Sequence, residues 1–209
     1  MKINKIKEDI TSEIAKSFKN EISLDVEATG LQIPERDKLS LIQLADQNGN
    51  VYIIQPNKKT YKAPNLVSVL ENEKILKIFH FARMDVHFLD VYLKTNVKNY
   101  YCTKLMSKLS RTFSSNHGLK DLVFSYCGVK LDKKFGSSTD WQKGLENISI
   151  DELNYAAKDC FYLKKIKDSL EKILKRENRF DLFLSTMRGL ESRIKLDKSG
   201  FKDADIFEH

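Results

Sequence analysis

Apolar and polar positions alternate from Ile22 to Ala28. Ile22, Leu24, Val26 and Ala28 fall on one side, and Ser23, Asp25 and Glu27 on the other. A period of two predicts a strand with one face in the core. Leu39 to Ala45 and Val51 to Gln55 predict two more strands, and Asn48-Gly49 between them is a hairpin signal. The sheet is therefore expected to begin as an antiparallel meander. Ile75 to Phe81 reads as a buried strand, and Val97 to Cys102 as a short one. Helical spacing predicts an amphipathic helix over 7–18, a helix from Pro64 through Leu70, another from Met84 to Leu93, and helices near 103–110 and 118–127. Ser149 and Glu152 fit a capping box. From there Leu153, Ala157, Cys160, Leu163, Ile166, Leu170, Ile173 and Leu174 keep the period of a single long helix. A last helix covers 180–198, and Leu131 to Asn147 is the longest irregular stretch. The expected class is α/β, a mixed β-sheet flanked by helices in a single domain.

A chain of 209 residues with 41% hydrophobic and 31% charged positions is globular, with enough length to bury a core. Its 36 Lys+Arg against 29 Asp+Glu give a net charge of +7, which favours polyanionic partners. Cys102, Cys127 and Cys160 lack metal-type spacing and read as reduced thiols of a cytoplasmic protein. No signal peptide is visible and no apolar run approaches membrane-spanning length.

The carboxylates change the picture. Asp25 and Glu27 share the polar face of their strand, ~6–7 Å apart, and Thr29-Gly30 follows at once. Asp85 opens a stripe with Phe88, Leu89 and Tyr92, so it points toward the protein. Its structural alternative is a helix N-cap. Asp159 follows Tyr155 by four positions on one helix face, with a partly exposed helix acid as the alternative. Four carboxylates brought together raise one another's pKa values, a penalty that cations remove. Hard oxygen ligands suit Mg²⁺ or Mn²⁺. Two such ions ~3.5–4 Å apart serve phosphodiester hydrolysis.

At these residues the chain resembles the DEDD superfamily of 3′-5′ exonucleases, in the ribonuclease D branch. Asp25-Val26-Glu27-Ala28-Thr29-Gly30-Leu31 matches the first motif, "FHFARMDVHFL" with Asp85 the second, and "YAAKDCFYL" with Tyr155 and Asp159 the third. A tyrosine in that place marks the tyrosine-type subgroup. The segments "LSLIQLAD", "YYCTKLMSKLSRTFSSNHGLKDL", "SSTDW" and "RIKLDKSGFKDADIFEH" are similar to the nano-RNase C family. Val26 and Ala28 depart from positions that are often polar in the superfamily. They face away from the acids, so only packing is expected to differ.

The resemblance implies a ribonuclease H-like (DnaQ-like) fold, two Mg²⁺ or Mn²⁺ ions per site and removal of terminal nucleotides. It further implies a preference for very short single-stranded RNA such as dinucleotides, and a homo-octameric ring. Asp25, Glu27, Asp85 and Asp159 would hold the ions, with Asp25 bridging them. Tyr155 would orient the attacking water, since a phenol with pKa ~10 is a poor base at neutral pH. Thr29, Gly30, Leu31, His80 and Phe81 are expected at the terminal sugar and base, Leu31 as a wedge. His117, Lys120, Lys134, Ser137, Ser138 and Trp141 are candidates for holding phosphate or stacking a base. Ordinary packing is the alternative for Leu31, His80 and Trp141. The exonuclease domain is expected over 1–178. Residues 179–209 are expected as a C-terminal helix and tail, packed on the domain or at an oligomer interface. Phe201, Ile206 and Phe207 would help assembly. The chain ends too soon for the accessory helical domains of longer ribonuclease D proteins. Alternatives are a broader ribonuclease D-like or DNA 3′-5′ exonuclease, and a non-catalytic nucleic-acid-binding protein, against which the intact acids count.

Overall fold

The structure is a computed structural model that describes residues 1–33, 35–131, 135, 139–204, 206 and 208. Its strands are β1 (Lys2–Lys7), β2 (Glu21–Ala28), β3 (Leu39–Ala45), β4 (Asn50–Gln55), β5 (Leu76–Phe79) and β6 (Tyr100–Cys102). They form one mixed sheet in the order β1-β4-β3-β2-β5-β6. The β2–β3–β4 meander is antiparallel, while β1 joins β4, β5 joins β2 and β6 joins β5 in parallel. Around the sheet lie α1 (Ser12–Ser17), α2 (Pro64–Leu70), α3 (Ala82–Leu93), α4 (Thr103–Ser110), α5 (Leu119–Cys127), α6 (Ile150–Phe161), α7 (Leu163–Arg176) and α8 (Phe180–Lys198).

Two apolar layers cover the two faces. Ile22, Leu24, Ile42, Leu44 and Ile54 point into the larger core with α2, α3, α4, α7 and α8. Leu41, Ala45, Val51 and Ile53 face the other way, against Leu153, Ala156, Ala157 and Cys160 of α6. Every residue of β3 is buried, as a strand covered on both faces must be, which is why its sequence is apolar almost throughout. Gly49 closes the β3–β4 hairpin with φ +83, a conformation that costs glycine no Cβ clash.

Several predicted elements differ in extent, among them the strand expected over Val97 to Cys102, which is only Tyr100–Cys102. The helix expected over 7–18 is only Ser12–Ser17, capped by Thr11, and Lys7 instead ends strand β1. The sheet therefore carries a parallel edge strand beside the meander. Its lysines suit an exposed edge and mask the apolar alternation. The single long helix is broken at Tyr162 into α6 and α7. Tyr162 keeps right-handed backbone angles (φ −87, ψ −9), so the apolar period runs through the break. Strand β5 stops at Phe79, because Phe81 adopts a left-handed conformation (φ 71) that opens α3 at Ala82. The expected capping box is present, with Ser149 Oγ accepting from the Glu152 amide. Lys164 and Lys167 of α7 form ion pairs with Glu21 and Asp168.

The C-terminal segment folds back on its own chain. Arg83 Nε and Nη2 donate to the buried Asp197 carboxylate at 2.7 and 2.8 Å, and Nη2 also donates to the Lys202 carbonyl. Arg193 adds bonds to the Phe201 and Ala204 carbonyls. Phe201 and Ile206 still expose 49% and 48% of their surface, and Phe207 lies outside the described residues.

Candidate active site

Strand β2 carries Asp25 and Glu27 on the face opposite Leu24 and Val26. The β2–β3 register shifts between Glu27 and Ala28. Bulges of this kind re-aim side chains beside functional sites. Helix α3 brings Asp85, and α6 brings Tyr155 and Asp159. Carboxylate oxygens of Asp25, Glu27 and Asp159 lie within 4.8 Å of one another. Asp85 is 5% exposed and sits in the fourth position of α3, not at its cap, which is Phe81. The N-cap alternative for Asp85 is therefore excluded.

Electrostatics report the same convergence. Burial pushes the Asp25 carboxyl far above its ordinary range, and the charges of Asp85, Asp159 and Glu27 push it further. Glu27 is raised by burial, then by Asp159 and Asp85. Burial lifts Asp85 to about 8, against the opposing pull of its own and the Val26 backbone amides. Asp159 is lifted to about 7 by burial, opposed by its hydrogen bond from Tyr155. Burial, Asp159, Glu27 and Asp25 together push the Tyr155 phenol well above its ordinary 10. The phenol is therefore protonated at neutral pH. Its ring stands edge-on to Phe135 and is stacked on Trp141 at 6.4 Å. Leu131, Phe135, Asn154, Tyr155, Lys158 and Asp159 line a cleft on this side. Asn154 and Lys158 are a turn apart on α6 and share this face with Tyr155, a helical spacing visible in the sequence.

The loop after β2 is fixed by Asp37. Its carboxylate accepts from the Gln32 amide at 2.8 Å, from Arg36 and from the Thr29 hydroxyl. The Asp37 carbonyl accepts from Tyr92 at 2.6 Å, and Lys202 Nζ reaches the Leu31 carbonyl at 2.9 Å. Gly30 is required here, since a Cβ would meet the Asp37 carboxylate with Cγ 2.6 Å away. Held this way, Leu31 exposes 61% of its surface. Phe81 exposes 40% and lies under Lys104 Nζ, 4.2 Å from the ring centroid. Thr103 Oγ1 donates its one proton to the Phe79 carbonyl, so it must accept from His80 Nδ1 at 3.0 Å. Burial and Lys104 lower the His80 pKa to about 4. The ring is therefore neutral, with Nε2 left as an acceptor.

Other candidates fall elsewhere. Trp141 is 2% exposed in the apolar layer under α6, so it packs against Tyr155 and cannot stack a base. A solitary tryptophan carries no sequence signal for which side of a loop it will bury. His117 Nδ1 bonds Ser107 Oγ on α4, and Lys120 is exposed on α5. Lys134, Ser137 and Ser138 lie outside the described residues.

A mixed sheet in this strand order, with acids converging from β2, α3 and α6, is the DnaQ-like exonuclease arrangement. The chain belongs to the 3′-5′ exonuclease family, whose model matches residues 2–175. Brucella melitensis NrnC with bound Mg²⁺ is 34% identical, with a TM-score of 0.91 and 100% of both chains covered. NrnC of the same organism bound to pGG is 35% identical, with a TM-score of 0.92, covering 100% of this chain and 99% of that one. Ribonuclease D of Gluconacetobacter diazotrophicus is 27% identical over 150 residues, 72% of this chain and 37% of that protein. The chain thus spans little more than a third of the length of that curated relative. The resemblance to the ribonuclease D branch and to nano-RNase C is borne out. Among the described residues, no helix is long and apolar enough to cross a membrane.

Proposed function

We propose that the protein is a divalent-cation-dependent 3′-5′ exoribonuclease that hydrolyses very short RNA, down to dinucleotides, to nucleoside 5′-monophosphates. The observation that carries this reading is the convergence of Asp25, Glu27 and Asp159 within 4.8 Å. It occurs in a chain that matches, over its whole length, an NrnC bound to pGG.

The acid set fits Mg²⁺ or Mn²⁺. All of its donors are carboxylate oxygens, and burial holds each above its ordinary pKa, with neighbouring carboxylates adding to the rise at Asp25 and Glu27. Asp25, Glu27, Asp85 and Asp159 would hold two ions, with Asp25 central. Bound there, the ions would supply charge stabilisation for an in-line displacement at phosphorus. The water oxygen bonds to phosphorus as the bond to the upstream 3′ oxygen breaks, and that oxygen takes up a proton. Protonated Tyr155, anchored to Asp159, orients the water and does not abstract its proton. Leu31 wedges beside the terminal base, Phe81 offers a face for stacking, and neutral His80 accepts a hydrogen bond from a ribose hydroxyl. Exposed Phe113 (85%), Phe124 (53%), Phe201 and Ile206 supply apolar surface for a homo-oligomer, which we place in the cytoplasm. A ring of copies narrows access and so favours short substrates.

The test is a time course on 5′-labelled RNAs of two to seven nucleotides, with Mn²⁺ and with excess EDTA. Cleavage of the dinucleotide in Mn²⁺ and none in EDTA is expected. Equal cleavage in EDTA refutes the cation requirement, and consumption of heptamer with an untouched dinucleotide refutes the substrate class.

A further inference from the structure

Among the described residues, four buried side-chain atoms have no hydrogen-bond partner, and three of them are Gln43 Nε2, Gln43 Oε1 and Trp141 Nε1. Buried polar atoms are seldom left unpaired, and each such case calls for an explanation such as a catalytic role. Trp141 belongs to the apolar layer under α6. Gln43 lies between Leu41 and Ala45, two members of that layer, on the same face of β3. All three orphaned atoms are therefore on the sheet face that carries Asp25 and Glu27.

The surroundings of Gln43 bring charge to its amide from the β2 side of its ladder. It is 0% exposed. Across one side of its ladder stands Ile53 of β4, and along its own strand stand Leu41 and Ala45. Helix α6 closes the face with Leu153, Ala156, Ala157 and Cys160. Across the other side, in direct register, stands Asp25. Directly opposed residues of an antiparallel pair have Cβ atoms ~4.5–5.5 Å apart and side chains on one face, a span that a glutamine amide bridges to a carboxylate. Ser23 and Glu27 are its two diagonal neighbours, ~7–8 Å away, so Asp25 is the nearer carboxylate.

We propose that Gln43 is a positioning residue for Asp25: its amide, which bonds nothing in this structure, takes up a hydrogen bond to the Asp25 carboxylate when a divalent cation binds and fixes that side chain at the ion. This rests on the cation site proposed above. A carboxylate that shares a site with three others needs a fixed direction, and a buried amide supplies it without adding charge. The Nε2 group has two protons to give, and neither is spent on a described partner.

Gln43→Met keeps the length of the side chain and removes its hydrogen bonding, and Gln43→Leu does the same with a shorter chain. The readouts are Mn²⁺ binding by calorimetry on metal-free protein, thermal melting without metal, and steady-state hydrolysis of a labelled dinucleotide. In both variants the metal-free protein is expected to melt at or above the wild-type temperature, since an unpartnered amide has been replaced by apolar surface. Mn²⁺ affinity and kcat are expected to fall about 10-fold or more, the usual loss when a partner of a metal ligand is removed. KM is expected to hold. Mn²⁺ affinity within about twofold of wild type in a folded variant overturns the proposal. So does melting well below wild type, or failure of both variants to fold, because either makes the amide a packing element. Wild-type protein that binds no Mn²⁺ refutes the cation site itself, whereas unchanged binding in the variants refutes the role of Gln43 alone.

Discussion

Asp159→Asn separates what the acid cluster does for chemistry from what it does to the fold. Asparagine keeps the shape and an oxygen for the Tyr155 hydroxyl, but it cannot ionise. In the folded metal-free protein Asp159 titrates near 7, where an ordinary aspartate titrates at 3.8. A carboxyl raised in the folded state keeps its proton over a range where the unfolded chain has lost it. Stability is therefore greatest near pH 4 and falls as pH climbs through 7. At ~1.4 kcal/mol per pH unit, ionised Asp159 costs the fold about 4 kcal/mol at pH 8 as an upper bound, and about 2 after relaxation and screening. Asparagine removes that cost, and it also removes a charge that raises Asp25 and Glu27. The metal-free variant should then melt ~4–8 °C above wild type at pH 8, taking 2–4 °C per kcal/mol for a chain of this size. The gap should close as pH falls toward 4.

Saturating Mg²⁺ should reverse the order. Wild type gains stability by mass action, ~2.7 kcal/mol when the ion is at a hundred times its dissociation constant, while the variant has lost a ligand. Turnover should be lost. The assay is calorimetric or fluorescence melting at pH 5, 6, 7 and 8, with EDTA and with Mg²⁺. A metal-free variant that melts at or below wild type at pH 8, or a difference that ignores pH, refutes the repelling cluster.

Other consequences can be checked one by one. Tyr155→Phe keeps the contacts with Trp141 and Phe135, so kcat should fall ~10²-fold or more with KM nearly unchanged. A wild-type rate that keeps rising with pH toward the ionisation of the phenol, and loses that rise in this variant, would instead make the phenolate a base. Gly30→Ala drives a Cβ into the Asp37 carboxylate. It should cost ~1–2 kcal/mol in denaturant unfolding and raise KM, and a change within ~0.5 kcal/mol would contradict the fixed loop. Light scattering should find an oligomer for the full chain and a smaller species for a version ending at Gly200. A full-length monomer at micromolar concentration defeats the assembly claim, and an unchanged oligomer removes only the tail from it.

Legibility in the sequence followed burial. The β2–β3–β4 meander was readable because its alternation and the Asn48-Gly49 turn reflect one face against the larger core. The acids were readable for the converse reason: Asp85 on the apolar stripe of Phe88, Leu89 and Tyr92 has no packing role to play. Strand β1 was hidden because an edge strand guarded by Lys2, Lys5 and Lys7 imitates a charged helix turn. The Tyr162 break was hidden because a kink that stays right-handed does not reset the helical period.

Gln43 shows where single-sequence reasoning ends. In "SLIQLAD" it is the polar exception in a run that is apolar on both faces, and the run does not say what its amide will meet. Only the helix bearing Leu153 and Cys160, more than a hundred positions later, turns that face into an interior. A pattern of period two reports that a residue sits opposite a core. It does not report whether a second core lies over it. The same covering helix delivers Asp159 to Asp25, so the element that buries Gln43 also completes the acid cluster. An unpartnered amide was thus created by the very packing step that assembled the site. Its loss should therefore be felt at the cation before it is felt in the fold.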